Sequence, residues 1–298
     1  AMRKIALATV AVAAAAALAL SGCSSRGSDS GSSASGFAKD ATIGVALPTK
    51  TSENWVLAGG LFTDGLKEAG FKGDVQYAGG SGVSDQQSQI QSMITNGAKV
   101  VIIGAVDGGQ LAAQAKAAHD AGAIVIAYDR LILNTNDVDY YVAYDNEKVG
   151  ELQGQALLDG MKAKFPDKKS YNIELFSGSP DDANSAVFFN GAMKVLKPKI
   201  DDGTLKVVSG QTDIKQTATQ GWLPQNAQTR MDTLLAKNYA STELDGVLSP
   251  NDTLARAILT SVKGAGKPTP IVTGQDSEAE SVKSIMAGEQ YSTINKDT

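Results

Sequence analysis

Short apolar runs rich in β-branched residues recur along this chain, and stretches with helical spacing separate them. Val100–Ile103 and Ile124–Ala127 are the clearest runs. Four successive apolar residues leave no polar face, so each reads as a strand buried on both sides, the signature of a parallel sheet. Parallel strands need crossover connections. The helical stretches over 56–69, 84–96 and 110–121 supply them, stopped by Gly70, Gly97 and Gly122. A chain built this way belongs to the α/β class.

Taken in order, a first set of strands falls at 42–48, 74–78, 100–103, 124–127 and 140–144. A second set follows a helix over 148–161. Its strands fall at 171–176, 205–209, 246–249, 271–273 and 292–294, with helices at 184–196 and 224–237. Each set is long enough for a core of its own, and two successive βα sets predict two doubly wound lobes, over 42–143 and 144–295.

The N-terminus predicts export. Arg3-Lys4 precede an apolar, Ala-rich stretch from Ile5 to Leu20, too short for a durable span. It ends in Leu20-Ser21-Gly22-Cys23, which looks like a bacterial lipobox, so 1–22 reads as a lipoprotein signal peptide and Cys23 as the lipidated residue. Cys23 is the only cysteine, so no intrachain disulfide forms. Ser/Gly-rich sequence over 23–40 then reads as a flexible tether holding a folded body off a membrane. Net charge is −5 with no basic block, which argues against nucleic acid as a partner.

Ligands of open α/β sheets bind beyond the carboxyl ends of the strands. Three polar pairs sit there: Asp129-Arg130, Asn251-Asp252 and Gln275-Asp276. Asp129-Arg130 alone reads equally as a strand-end ion pair, and the other two pairs as helix N-caps. Three pairs at one edge are harder to dismiss, because a crevice between two lobes would gather them. Trp55 and Trp222 both follow strands at loop-to-helix positions. Each could be a core anchor, or a flat face for stacking in that crevice.

Several chemistries lack their residues. His119, the only histidine, lies in an Ala-rich helix and reads as a surface residue or one satisfied locally. No His/Cys cluster has metal-ligand spacing, and no nucleophile elbow or Walker motif occurs. Gly79, Gly80 and Gly82 read as a turn rather than a phosphate loop. Asp181-Asp182 could supply a glycosidase's two carboxylates, but nothing sets the distance such chemistry needs.

Six stretches together carry a resemblance. They are Ala127-Tyr128-Asp129-Arg130-Leu131-Ile132, Ser177-Gly178-Ser179-Pro180-Asp181-Asp182, Val195-Leu196-Lys197-Pro198, Gly221-Trp222-Leu223-Pro224-Gln225-Asn226-Ala227, Ser249-Pro250-Asn251-Asp252 and Gly274-Gln275-Asp276. With them the chain resembles periplasmic sugar-binding proteins of bacterial ABC importers, in the xylose-binding and multiple-monosaccharide-binding group. The resemblance implies a type I periplasmic binding protein fold, with a hinge near 296–298 and closure on one sugar. It implies that Asp129 and Arg130 hydrogen-bond ring hydroxyls and the ring oxygen, and that Asn184, Asn251 and Asp276 add polar contacts. It implies that Trp55 and Trp222 sandwich the ring faces and that Lys296 is a hinge-side ligand. Asn54 stands where the nearest relatives carry Arg. Relatives also continue past the position of Lys296 with a helix and a last strand, so the resemblance implies a truncated form with apolar sheet surface exposed.

The expected function is therefore a lipid-anchored, extracytoplasmic, monomeric receptor without cofactor or metal, not an enzyme. It would deliver a xylose-, glucose- or galactose-like monosaccharide to an ABC permease. A sugar-sensing receptor domain for a signalling partner and a sugar-processing enzyme are the alternatives. A LacI-type regulator shares the fold, but it lacks an export signal and carries a DNA-binding headpiece.

Overall fold

A computed structural model describes residues 36–297. The expected signal peptide, Cys23 and most of the expected tether lie outside the described residues. The described part contains two parallel sheets. The first holds β1 (Thr42–Leu47), β2 (Lys72–Tyr77), β3 (Val100–Ile103), β4 (Ile124–Tyr128) and β5 (Tyr140–Val142), in the order β2-β1-β3-β4-β5. The second holds β6 (Tyr171–Leu175), β7 (Leu205–Val207), β8 (Gly246–Leu248) and β9 (Ile271–Val272), in the order β7-β6-β8-β9. Every pairing is parallel. The described residues from 38 onward form one compact unit.

Helices α1 (Glu53–Glu68), α2 (Val83–Thr95) and α3 (Ala112–Asp120) connect the first four strands. Ile90, Met93, Ala115 and Ala118, from α2 and α3, pack with Val101, Ile103, Val125 and Ala127 on one face of the first sheet. Trp55 and Ala58 of α1 pack with Val45, Leu47 and Tyr128 on the other. That second face is less completely covered. β4, expected to be buried on both sides, alternates instead, with Ile124 and Ile126 only half-buried. The edge strand β5 is exposed throughout, as are Val56, Leu57 and Leu61 of α1.

The second sheet is buried on both faces. α4 (Asn146–Lys164) and α5 (Ala183–Asp201) contribute Leu157, Met161, Phe189 and Leu196 to one side. α7 (Pro224–Asn238) and α8 (Asp252–Gly264) contribute Met231, Leu234, Leu254 and Ile258 to the other. A short α6 (Ile214–Thr217) precedes Trp222, and α9 (Ala279–Met286) follows β9. α8 and α9 are not among the expected helices, although α8 buries Leu254, Ala255, Ile258 and Val262 at helical spacing.

The expected strand over 292–294 does not form. Tyr291 and Ser292 both donate to the Val272 carbonyl, and the Ile294 carbonyl accepts the Asp276 N–H at 2.9 Å. Asp276, with φ of 98°, turns the chain away from the sheet there, so no ladder can continue. His119 is exposed in the last turn of α3. Gly79 to Gly82 form a turn closed by Gly82 N–H to the Gly79 carbonyl.

Candidate functional site

The strand-end polar residues do two jobs, capping helices and lining a cavity. Asp182 caps α5, accepting the Asn184 N–H at 2.9 Å. Asn251 caps α8 through the Leu254 N–H at 2.9 Å. A parallel strand leads directly into the N-terminus of its crossover helix, so caps of several helices collect along one sheet edge.

At the end of β4 the backbone turns sharply. Asp129 has φ of 63°, unusual for a residue with a side chain. Three contacts hold it there: its N–H donates to the Val142 carbonyl at 2.8 Å, and its carbonyl accepts Asn184 Nδ2 at 2.8 Å and the Tyr141 hydroxyl at 3.3 Å. The turn separates two neighbours that read in the sequence equally as a strand-end ion pair or as ligands. Arg130 Nε lies 3.1 Å from Asp182 Oδ2, whereas Asp129 lies 3.7 Å from Lys296 Nζ. Lys296 also lies 3.0 Å from Asp276. Arg130 Nη1 donates to the Ala105 carbonyl at 2.9 Å, and its guanidinium sits 5.3 Å from the Trp55 ring centre.

Trp222 follows Gly221 in a tight turn, with φ of 68° at the glycine and 54° at the tryptophan. Its Nε1–H donates to Asp182 Oδ2 at 3.1 Å. Gly178 lies beneath the indole, where a Cβ would come within 2.1 Å of the ring. Phe188 meets the indole edge-on, its ring centroid 6.4 Å away, a spacing aromatic pairs prefer.

These groups border a cavity of about 690 Å³. Asn54, Trp55, Asp129 and Arg130 line it from the first sheet's elements. Trp222, Asn251, Asp276 and Lys296 line it from the second sheet's elements and the final segment. Of the expected site residues, Asn184 is set back from the lining; it is buried, and it holds the Asp129 carbonyl. Asp181, Asp182, Phe188 and Gln275 also line the cavity and were not expected there as ligands. The signal for Asp182 was its place before a helix with N-cap spacing, which marks a strand end in such folds.

Burial raises the carboxyl pKa of Asp276, and the Lys296 ammonium opposes it. Burial likewise raises that of Asp182, against the pull of Arg130. For Lys296, burial acts to lower the pKa, but Asp276 and Asp129 outweigh it and keep the ammonium charged. Among the described residues no cluster of His, Cys, Asp or Glu could hold a metal ion, and no helix is long and apolar enough to cross a membrane. Asp181 accepts Gln220 Nε2 at 3.0 Å, while Asp182 is occupied by Arg130, Trp222 and Asn184. Both carboxylates thus accept from protein donors. The arrangement offers charged donors and acceptors beside two indole rings, which suits a neutral polyol with polar edges and weakly apolar faces.

A family model for the periplasmic binding protein domain matches residues 43–298. The chain belongs to this family. It is 51% identical over 271 residues to the multiple sugar-binding periplasmic receptor ChvE of Rhizobium radiobacter, covering 89% of this chain and 76% of that protein. It is 37% identical over 260 residues to the D-xylose-binding periplasmic protein of Escherichia coli, covering 87% and 74%. Among solved structures, an ABC transporter solute-binding protein from Clostridium phytofermentans with bound β-D-glucose superposes with a TM-score of 0.81. It shares 40% identity and covers 86% of this chain and 79% of that one. A galactofuranose-binding protein at 16% identity shares the fold, with a TM-score of 0.73. The two parallel sheets are those of the type I periplasmic binding protein fold. Relatives in this family are extracytoplasmic transport receptors rather than enzymes.

Proposed function

We propose that this chain is an extracytoplasmic receptor that captures a single xylose-, glucose- or galactose-like monosaccharide and hands it to an ABC permease without chemically altering it. One observation carries the reading: Trp55 and Trp222 line the same cavity as Asp129, Arg130, Asp276 and Lys296, from elements of both sheets. The sugar-binding names of relatives with high coverage support it.

In this reading the two indoles cover the ring faces. Asp129, Arg130, Asn251, Asp276 and Lys296 bond the hydroxyls and ring oxygen, and Asn184 supports them through Asp129. Asn54 adds a neutral contact that sets which hydroxyl is read. Charged partners roughly double the strength of such bonds, and a sugar lacking one hydroxyl leaves a buried charge unsatisfied. The lobes over 42–143 and 144–295 close around the ligand by a hinge, and the closed face is what the permease recognises. Export through the 1–22 signal and lipidation at Cys23 would hold this monomer at the membrane.

Calorimetric titration with D-xylose, D-glucose and D-galactose, with the sugar recovered afterwards, tests the reading. Saturable one-to-one binding with the sugar recovered intact is expected. No binding by any monosaccharide, or conversion of the sugar, overturns it. Membrane fractionation of Cys23→Ser tests the anchor, with release into the soluble fraction expected.

A further inference from the structure

We propose that Asp182 is a positioning residue that fixes the spacing between the Trp55 and Trp222 walls of the cavity. The proposal rests on the sugar-binding reading above. Four groups form a continuous chain from wall to wall. Trp55 carries the Arg130 guanidinium 5.3 Å from its ring centre. Arg130 Nε lies 3.1 Å from Asp182 Oδ2. The same oxygen accepts Trp222 Nε1–H at 3.1 Å. One carboxylate oxygen therefore ties an indole on the second sheet's elements to a guanidinium seated on the other indole.

The two ends of that chain are themselves held. Arg130 Nη1 is anchored on the Ala105 carbonyl at 2.9 Å. Trp222 is seated over Gly178, which leaves no room to retreat. Asp182 is 5% exposed, so water does not compete for the carboxylate. Its other oxygen takes the Asn184 N–H at 2.9 Å, which fixes the side chain's direction by the helix cap. An indole sandwich grips a ring only at the right separation, so a group setting that separation acts on affinity through the indoles.

A purely structural role is the rival: Asp182 is also the N-cap of α5. Asp182→Asn separates the two, because Asn caps as well as Asp and keeps an acceptor oxygen but loses the charge that holds Arg130. Asp182→Ser, also a good cap, serves if the first variant folds poorly. Both are made in a Trp55→Phe background, so that Trp222 is the only tryptophan reporter, and in the native background for titration with D-glucose and D-xylose.

The expected result is a sugar Kd at least tenfold weaker in Asp182→Asn, with a melting temperature near native. In the sugar-free Trp55→Phe protein the Trp222 emission should shift to the red and acrylamide quenching should increase. A double-mutant cycle with Arg130→Met, read on the sugar-free Trp222 emission and quenching, should be non-additive, the Asp182 change adding little once Arg130 is gone. Unchanged emission and a Kd within twofold of native overturn the proposal, as do fully additive effects with Arg130→Met. If the native chain binds neither sugar, the sugar-binding reading fails, and the sugar-free Trp222 signature still decides whether Asp182 positions the indole.

Discussion

Glu53 and Glu278 each cap the other's helix. Glu53 Oε1 accepts the Ala279 N–H at 3.1 Å, at the start of α9. Glu278 Oε1 accepts the Asn54 N–H at 3.3 Å and the Ser52 hydroxyl at 2.9 Å, at the start of α1. Neither helix has a side-chain cap of its own. The two helices follow strands of different sheets, so both caps exist only while the two halves are together. Arg256 and Thr253 hold Glu278 in place.

Truncating one of these carboxylates should therefore weaken ligand binding from outside the cavity's polar cluster. Loss of a cap costs about 1 kcal/mol. Because that cost falls on the joined arrangement alone, Glu53→Ala should raise the sugar Kd by about fivefold through a smaller competent population. Calorimetry on Glu53→Ala against native protein checks this, and an unchanged Kd would show that the exchange of caps does not hold the halves together.

Arg130→Ala should abolish sugar binding while leaving the circular dichroism spectrum near native. Its melting temperature should fall, because Asp182 is then a buried carboxylate without its cation, a situation that costs about 3 to 5 kcal/mol. Retention of native affinity would remove Arg130 from the site.

Gly178→Ala should displace Trp222. The new methyl would lie 2.1 Å from the indole, with the Ser185 hydroxyl at 2.4 Å on another side. Sugar affinity should drop at least tenfold, with a changed tryptophan emission spectrum. Native emission and affinity would mean that the turn through Gly221 can absorb the shift.

Asp252 should make stability depend on pH. Burial pushes its carboxyl pKa up to about 7, against the donors Gln290, Thr293 and Glu278 N–H. With the folded value above the unfolded 3.8, the folded state holds a proton that the unfolded state has lost. Its contribution is full below about pH 4 and is lost as pH rises towards 7, by at most about 1.4 kcal/mol per unit. Melting temperatures of native protein and Asp252→Asn from about pH 4 to 7 check the sign. The native protein should lose stability relative to the variant across that window, and parallel curves would refute the assignment.

The βα alternation, the two sheets and the strand ends at Asp129, Asn251 and Asp276 were legible in the chain. Hydrophobic runs and glycine stops are local, and local patterns survive without knowledge of the fold. The strand over 292–294 was misread for the same reason: its composition suits a strand, but the positive φ of Asp276 denies it a partner. α8 follows an Asn-Asp pair that reads equally as a cap or as a ligand, and it proves to be a cap that also borders the cavity.

What the sequence alone determined is the kind of fold and which polar and aromatic residues stand at sheet edges. It left open which charges meet. Arg130 pairs with Asp182, 52 positions further along the chain, rather than with its neighbour Asp129, which faces Lys296. Only the tertiary structure could decide this, because the left-handed turn at Asp129 sends adjacent side chains apart, and ionic attraction depends on distance in space rather than along the chain.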